Sequence, residues 1–135
     1  MQAVNVKKIT PILFVEEVEP GVKFWTERLG FKKTVEVPDG DKLAFAIVVK
    51  DGVELMYQTY ATADRDDPVA ALMVRKGPSF LYVEVQDVTL AHAAMQGENV
   101  VVPMHDTFYG AKEFSVKDPA GHLITFAQQG AAAQP

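Results

Sequence analysis

The sequence predicts an α+β protein made of two similar βαβββ modules, which together form a curved mixed sheet with helices on its convex side. Three observations predict this class. The order strand, helix, strand, strand, strand is legible from Lys8 to Tyr60 and again from Phe80 to Ala127. The strand-to-helix junction carries related sequence in each half, Val15-Glu16-Glu17-Val18 and Val85-Gln86-Asp87-Val88. Between the halves lies a segment with neither pattern. Repetition at about half the chain length means that one module leaves a sheet face it cannot bury alone, so two modules pack side by side and leave a concave pocket.

The elements follow in order. Lys8 to Val15 is almost continuously apolar and reads as the first strand. Pro20 suits the first turn of a helix; Val18, Val22, Trp25 and Leu29 recur at helical spacing and Gly30 ends it. Phe31 to Val37, Leu43 to Lys50 and Val53 to Tyr60 are three strands separated by Pro38-Asp39-Gly40 and Asp51-Gly52. Residues 61–77, rich in Ala, Asp and Arg, are expected to link the modules, with one short helical turn around Val69 to Val74. In the second module Phe80 to Val85 is a strand, and Asp87 caps a helix carrying Val88, Ala91 and Met95 before Gly97. Asn99 to Met104, Glu113 to Val116 and Leu123 to Ala127 complete the sheet. The last two are joined by Asp118-Pro119-Ala120-Gly121, a turn in which Asp bonds the backbone, Pro presets φ and Gly takes positive φ. The expected organisation is a single domain over 1–135: module 1 at about 8–60, linker 61–77, module 2 at about 78–128 and a frayed tail at 129–135.

Composition narrows the function. The chain has 135 residues, 48% hydrophobic and 23% charged, which suits one packed domain. A formal net charge of −5, with basic residues scattered, argues against a nucleic-acid surface. No apolar stretch nears the roughly 20 residues of a membrane span, and the first eight residues lack a signal-peptide core. With no cysteine, disulfides and thiolate chemistry are excluded, and a cytoplasmic setting is expected.

The segments Ile12-Leu13-Phe14-Val15, Val22-Lys23-Phe24-Trp25 and Arg28-Leu29-Gly30-Phe31 resemble the opening of vicinal oxygen chelate proteins, the glyoxalase, bleomycin-resistance and dioxygenase group. Phe108-Tyr109-Gly110-Ala111-Lys112-Glu113-Phe114, followed by Asp118-Pro119-Ala120-Gly121-His122, is similar to that group's closing signature. The resemblance spans Ile9 to Phe126 and implies the glyoxalase/bleomycin resistance fold. It also implies four metal-ligand positions, one on the first and one on the last strand of each module, which fall here on Thr10, Glu54, Phe80 and Thr125. Only Glu54 is a usual ligand, and one carboxylate does not hold a transition metal in water. The three histidines do not repair the set: His92 is expected solvated on a helix, His105 in the loop after the sixth strand, and His122 in a turn. No metal and no cofactor is therefore expected.

If the ligand-equivalent positions face inward, strand alternation aligns Thr10, Ile12 and Phe14, then Glu54, Met56 and Gln58, then Phe80, Tyr82 and Glu84, and finally Leu123, Thr125 and Ala127 around the cavity. Met56, Phe80 and Tyr82 read equally as core. Glu54 and Glu84, flanked by apolar neighbours, are either binding or general-base carboxylates or simple edge charges. Glu113 is a surface residue or a third acid at the mouth, and Phe108 and Tyr109 either close over a ligand or anchor their loop. Trp25 belongs to the core. The function implied by the resemblance is a homodimeric small-molecule binding protein for aromatic or cationic compounds. The alternative is a metal-dependent glyoxalase- or dioxygenase-type enzyme, and a domain working only through its surface is the third possibility.

Overall fold

The computed structural model describes residues 3, 5 and 7–130; of the tail expected at 129–135, Gln129 belongs to the last strand and 131–135 lie outside the described residues, as do residues 1, 2, 4 and 6. Among the described residues the order is β1 (Ile12–Val15), α1 (Glu19–Leu29), β2 (Lys32–Asp39), β3 (Lys42–Lys50), β4 (Val53–Thr59), α2 (Tyr60–Asp66), α3 (Pro68–Val74), β5 (Phe80–Glu84), α4 (Val88–Ala94), β6 (Asn99–Asp106), β7 (Ala111–Lys117) and β8 (Leu123–Gln129). The strands form two mixed sheets, β1-β4-β3-β2 and β5-β8-β7-β6, so the α+β class and the doubled βαβββ order are as the sequence predicts. In each sheet the first strand lies parallel to the last and the other pairings are antiparallel.

Several boundaries move for identifiable reasons. β1 starts at Ile12 and not at Lys8, because Pro11 has no N–H to give to β4, although its carbonyl still accepts from Met56 N at 3.0 Å. β2 and β6 run through Pro38 and Pro103; both are edge strands, where a missing ladder donor is tolerated, and the register slips near each proline. The longer β6 takes in His105, which is strand and not loop. The linker contains two helices where one turn was expected. Thr59 caps α2 by accepting from Thr62 N at 3.2 Å, and Asp67 caps α3 from Ala70 N at 3.2 Å, with Pro68 at its first position.

The core joins both modules. Leu13, Val15, Trp25 and Tyr57 from the first pack in one cluster with Met95, Phe114, Ile124 and Phe126 from the second. Helices α1 and α4 therefore cover the same side of both sheets, the side of Leu55 and Tyr57 on β4 and of Ile124 and Phe126 on β8. The opposite, open side carries the alternate residues.

Two buried polar bridges fix the modules to each other. Trp25 Nε1–H donates to Tyr57 Oη at 2.8 Å, and Tyr57 O–H donates to Asp118 Oδ2 at 3.2 Å. The other oxygen of Asp118 accepts from Ala120 N at 3.0 Å and His122 N at 2.8 Å, closing the turn before β8. Burial and the Asp118 carboxylate push the Tyr57 phenol far above its ordinary value. Gly21 is required beside this ring, since a Cβ there would lie 2.5 Å from Tyr57 Cε1.

His122 makes the second bridge. It is buried, not a surface turn residue, with 3% of its area exposed. Its Nδ1 accepts from Ser79 N at 2.8 Å. A backbone N–H can only donate, so the ring proton sits on Nε2, which donates to the Phe14 carbonyl of β1 at 3.1 Å. Both nitrogens are thus committed. His92 is also not fully solvated: its ring meets Phe114 edge-on, with centroids 4.9 Å apart.

Replacing Tyr57 by Phe keeps the ring but orphans the Trp25 N–H and one oxygen of Asp118. The expected loss is about 1–3 kcal/mol of unfolding free energy. His122→Ala orphans Ser79 N–H and the Phe14 carbonyl and leaves a void, for an expected loss of about 2–4 kcal/mol. Urea unfolding measures both.

Candidate functional site

The open face of the second sheet carries a polar floor with an aromatic rim. Phe114 and Val116 point into the core, so alternation turns Glu113 and Ser115 of β7 to the open side, beside Ala127 and Thr125 of β8. Ala127, small and fully buried, leaves room for the Glu113 side chain, which is only 6% exposed. Tyr82 on β5 donates its hydroxyl to Glu113 Oε2 at 2.5 Å, and Tyr109, in the turn between β6 and β7, donates to the same oxygen. Gln129 Nε2 donates to Tyr82 Oη at 3.0 Å, and the Ser115 and Thr125 hydroxyls are 2.7 Å apart.

Glu113 is therefore a nearly buried carboxylate with two phenol donors and, among the described residues, no cation within ion-pair distance; its neighbour Lys112 turns to Asp106. Both phenols use Oε2, and no buried side-chain oxygen lacks a partner among the described residues, so Oε1 is reachable from outside. Loss of water around its hydroxyl and the bond to Glu113 push the Tyr82 phenol well above its ordinary value. The bond to Glu113, followed by partial dehydration, raises Tyr109. These groups act as donors at neutral pH. Phe108 stands fully exposed next to Tyr109, edge to face at 5.1 Å between centroids, and Gly110 with φ of 87° permits the tight turn behind them.

On the first sheet the open face is formed by Ile12 and Phe14 of β1, paired with Met56 and Gln58 of β4. Phe14 lies against Tyr60, with ring centroids 6.5 Å apart. Thr10 hydroxyl and Lys8 Nζ both reach Glu54 Oε1, at 3.5 and 3.0 Å. Glu54 is thus compensated, whereas Glu84 is exposed and has no ion pair among the described residues. In the second sheet Phe80 pairs with Leu123 and Tyr82 with Thr125. Thr10 and Glu54 stand together, but Phe80 and Thr125 do not occupy paired positions. Phe80 and Tyr82 are 63% and 47% exposed, so they are not core. Leu123 is half-buried and Ala127 is floor, without a polar group to offer.

Sequence reasoning missed Ser115, Gln129 and Lys8, the partners of Thr125, Tyr82 and Glu54. The signal for Ser115 was its place two residues from Glu113, on the same face of the expected strand Glu113 to Val116.

The model of the Glyoxalase/Bleomycin resistance protein/Dioxygenase superfamily matches residues 6–126. The chain belongs to this superfamily. Among solved structures, a glyoxalase/bleomycin resistance protein/dioxygenase from Nocardioides is similar with TM-score 0.74 and 21% identity, covering 98% of this chain and 90% of that one. The bleomycin-binding protein of Streptomyces verticillus, complexed with copper(II)-bleomycin, gives TM-score 0.63 and 24% identity over 95% and 99%. Lactoylglutathione lyase from Agrobacterium tumefaciens gives 0.72 and 13% over 92% and 95%. No curated protein matches the chain by sequence. These likenesses fix the glyoxalase/bleomycin resistance fold and leave the activity to this chain's own site.

The superfamily's metal does not fit the residues present. Of the four positions the resemblance implies, Phe80 has no donor atom, the Thr125 hydroxyl is paired to Ser115 and Glu54 is neutralised by Lys8. Among the described residues no three His, Asp or Glu side chains gather as ligands, and both nitrogens of His122 are used.

Removing the Glu113 charge tests this geometry. Tyr57, Tyr82 and Tyr109 are all held protonated above their ordinary value of 10.0, so they contribute stability below that pH which is lost as pH rises through their raised values. In Glu113→Gln, tyrosinate absorbance should show Tyr82 and Tyr109 ionising at lower pH than in the wild type, with Tyr57 unmoved.

Proposed function

We propose that the protein binds a small planar cation on the open face of its second sheet, through Glu113. The observation that carries this is a carboxylate 6% exposed, held by two phenol hydroxyls on one oxygen and presenting the other to a face rimmed by Phe80, Phe108 and Tyr109. A buried charge without a counter-ion is costly. A cationic ligand supplies that counter-ion, while the exposed rings stack on its flat body. Glu84 adds a second carboxylate on the same face. The Ser115 and Thr125 hydroxyls give the floor a polar lining, and Ile12, Phe14 and Met56 extend the apolar wall on the first sheet. The solved neighbour that holds copper(II)-bleomycin supports a binding role for this scaffold.

The binding unit is proposed to be a homodimer, since Val35, Val37 and Val100 on the edge strands stand at 40–46% exposure, apolar surface that an isologous contact covers. No helix among the described residues is long and apolar enough to cross a membrane, and the cytoplasm is the proposed setting.

A planar aromatic cation such as proflavine, titrated by fluorescence polarisation, should bind saturably. Glu113→Gln should weaken it by about 1–3 kcal/mol, the worth of a hydrogen bond to a charged group, with the fold intact by circular dichroism. Phe108→Ala should weaken it by about 0.5–2 kcal/mol. Unchanged affinity in both variants contradicts the proposal. Sedimentation should show dimers at high micromolar concentration, and a monomer there removes the dimer claim.

A further inference from the structure

The two modules repeat the same strand order and ladder register, and the two ends of the junction between them are not alike. Each last strand follows a glycine of positive φ, Gly121 at 91° before β8 and Gly52 at 77° before β4. The ladders β1·β4 and β5·β8 equate Ile12 with Tyr82 and Met56 with Thr125. His122 is therefore the counterpart of Val53, Ser79 of Ile9, and Phe14 of Glu84. At one end of the seam the His122 imidazole fills the gap, taking the Ser79 N–H and giving its own N–H to the Phe14 carbonyl. At the other end the corresponding residue is Val53, which has neither the length nor the polar atoms to do so and is 58% exposed.

Among the described residues that end is a cleft of about 480 Å³ that includes Ile9, Val53 and Glu84, with the Lys8–Glu54 ion pair and Thr10 at its mouth and an apolar interior that includes Trp25, Leu55 and Leu81. The size is within the range of small-molecule sites. Two of its backbone groups match those that hold His122. Ser79 O accepts from Leu123 N and Val85 N donates to Ala127 O, so the odd residues of β5 face β8 and the carbonyl of Glu84 faces the seam, as the Phe14 carbonyl does. Ile9 N–H corresponds to Ser79 N–H and has no acceptor among the described residues.

We propose that this open end is a second binding site, for a neutral azole whose acceptor nitrogen and N–H flank one carbon, as in imidazole. The azole accepts from Ile9 N–H, donates to the Glu84 carbonyl and rests on the apolar interior beside Trp25, repeating with a free ligand what His122 does from within the chain. The cleft adjoins the Glu113 face, sharing Tyr82 and Glu84 with it, but the azole's two partners are backbone groups and do not include the Glu113 carboxylate.

The test is a two-dimensional ¹⁵N NMR titration of the full chain with imidazole at about pH 8, where the free ring is neutral. Saturable shifts are expected at the amides of Ile9, Val53 and Glu84 and at the Trp25 indole, the chain's only tryptophan. Pyrazole, whose two nitrogens are adjacent and cannot span both groups, should bind roughly tenfold more weakly. Val53→His and Val53→Phe both fill the cleft from an exposed position and should abolish saturation, and only Val53→His should raise the melting temperature, by supplying the missing bridge. Shifts that do not saturate, equal binding of pyrazole, or undiminished imidazole binding in both variants overturns the proposal.

Discussion

A buried relay of hydrogen bonds, Trp25 to Tyr57 to Asp118 and on to the backbone of Ala120 and His122, joins the helix of one module to the last turn of the other. Everything on the open faces depends on it. The relay lies in low dielectric, where each member is costly if left alone and strong when paired. It is fully satisfied, so it specifies one relative placement of the sheets, and the His122 bridge to Phe14 sets the second point that a rotation would need to break. Apolar contacts of Leu13, Phe114 and Phe126 supply most of the stabilisation, but such contacts tolerate sliding and the polar bridges do not.

With the modules fixed, the chemistry falls to the residues left on the open side. The superfamily scaffold places four side chains where a metal would need donors, and this chain keeps one carboxylate there and neutralises it with Lys8. Its buried acid without an ion pair among the described residues is instead Glu113 of β7, where two phenols hydrogen-bond the carboxylate without cancelling its charge. The binding proposed for this chain accordingly rests on charge and stacking at the open face, with no metal in it.

Much of the fold was legible in sequence because its signals are local. Val22, Trp25 and Leu29 with Gly30, and Asp87 ahead of Val88 and Ala91, mark helices within one or two turns, and the junction repeat shows the doubling. The parts that were not legible depend on distant partners. α2 has no apolar period and is announced only by the Thr59 cap. Pro38 looks like a strand end unless its strand is known to be an edge. His122 looks like a turn residue because its partners, Ser79 and Phe14, are 43 and 108 positions away. The aromatic residues of the face were identified by alternation, whereas the environment of Glu113 depended on where β7 begins and on Tyr82 reaching it from β5.

The central structural claim is that the two modules form one cooperative body through the relay and the His122 bridge. Native-state hydrogen exchange tests it most directly. Met56 N–H, bonded to Pro11, and Leu123 N–H, bonded to Ser79, sit in different sheets; the account predicts that both exchange with the same opening free energy, equal to that of global unfolding, and that His122→Ala lowers both together. Separate opening free energies for the two sheets in the wild-type protein would contradict it.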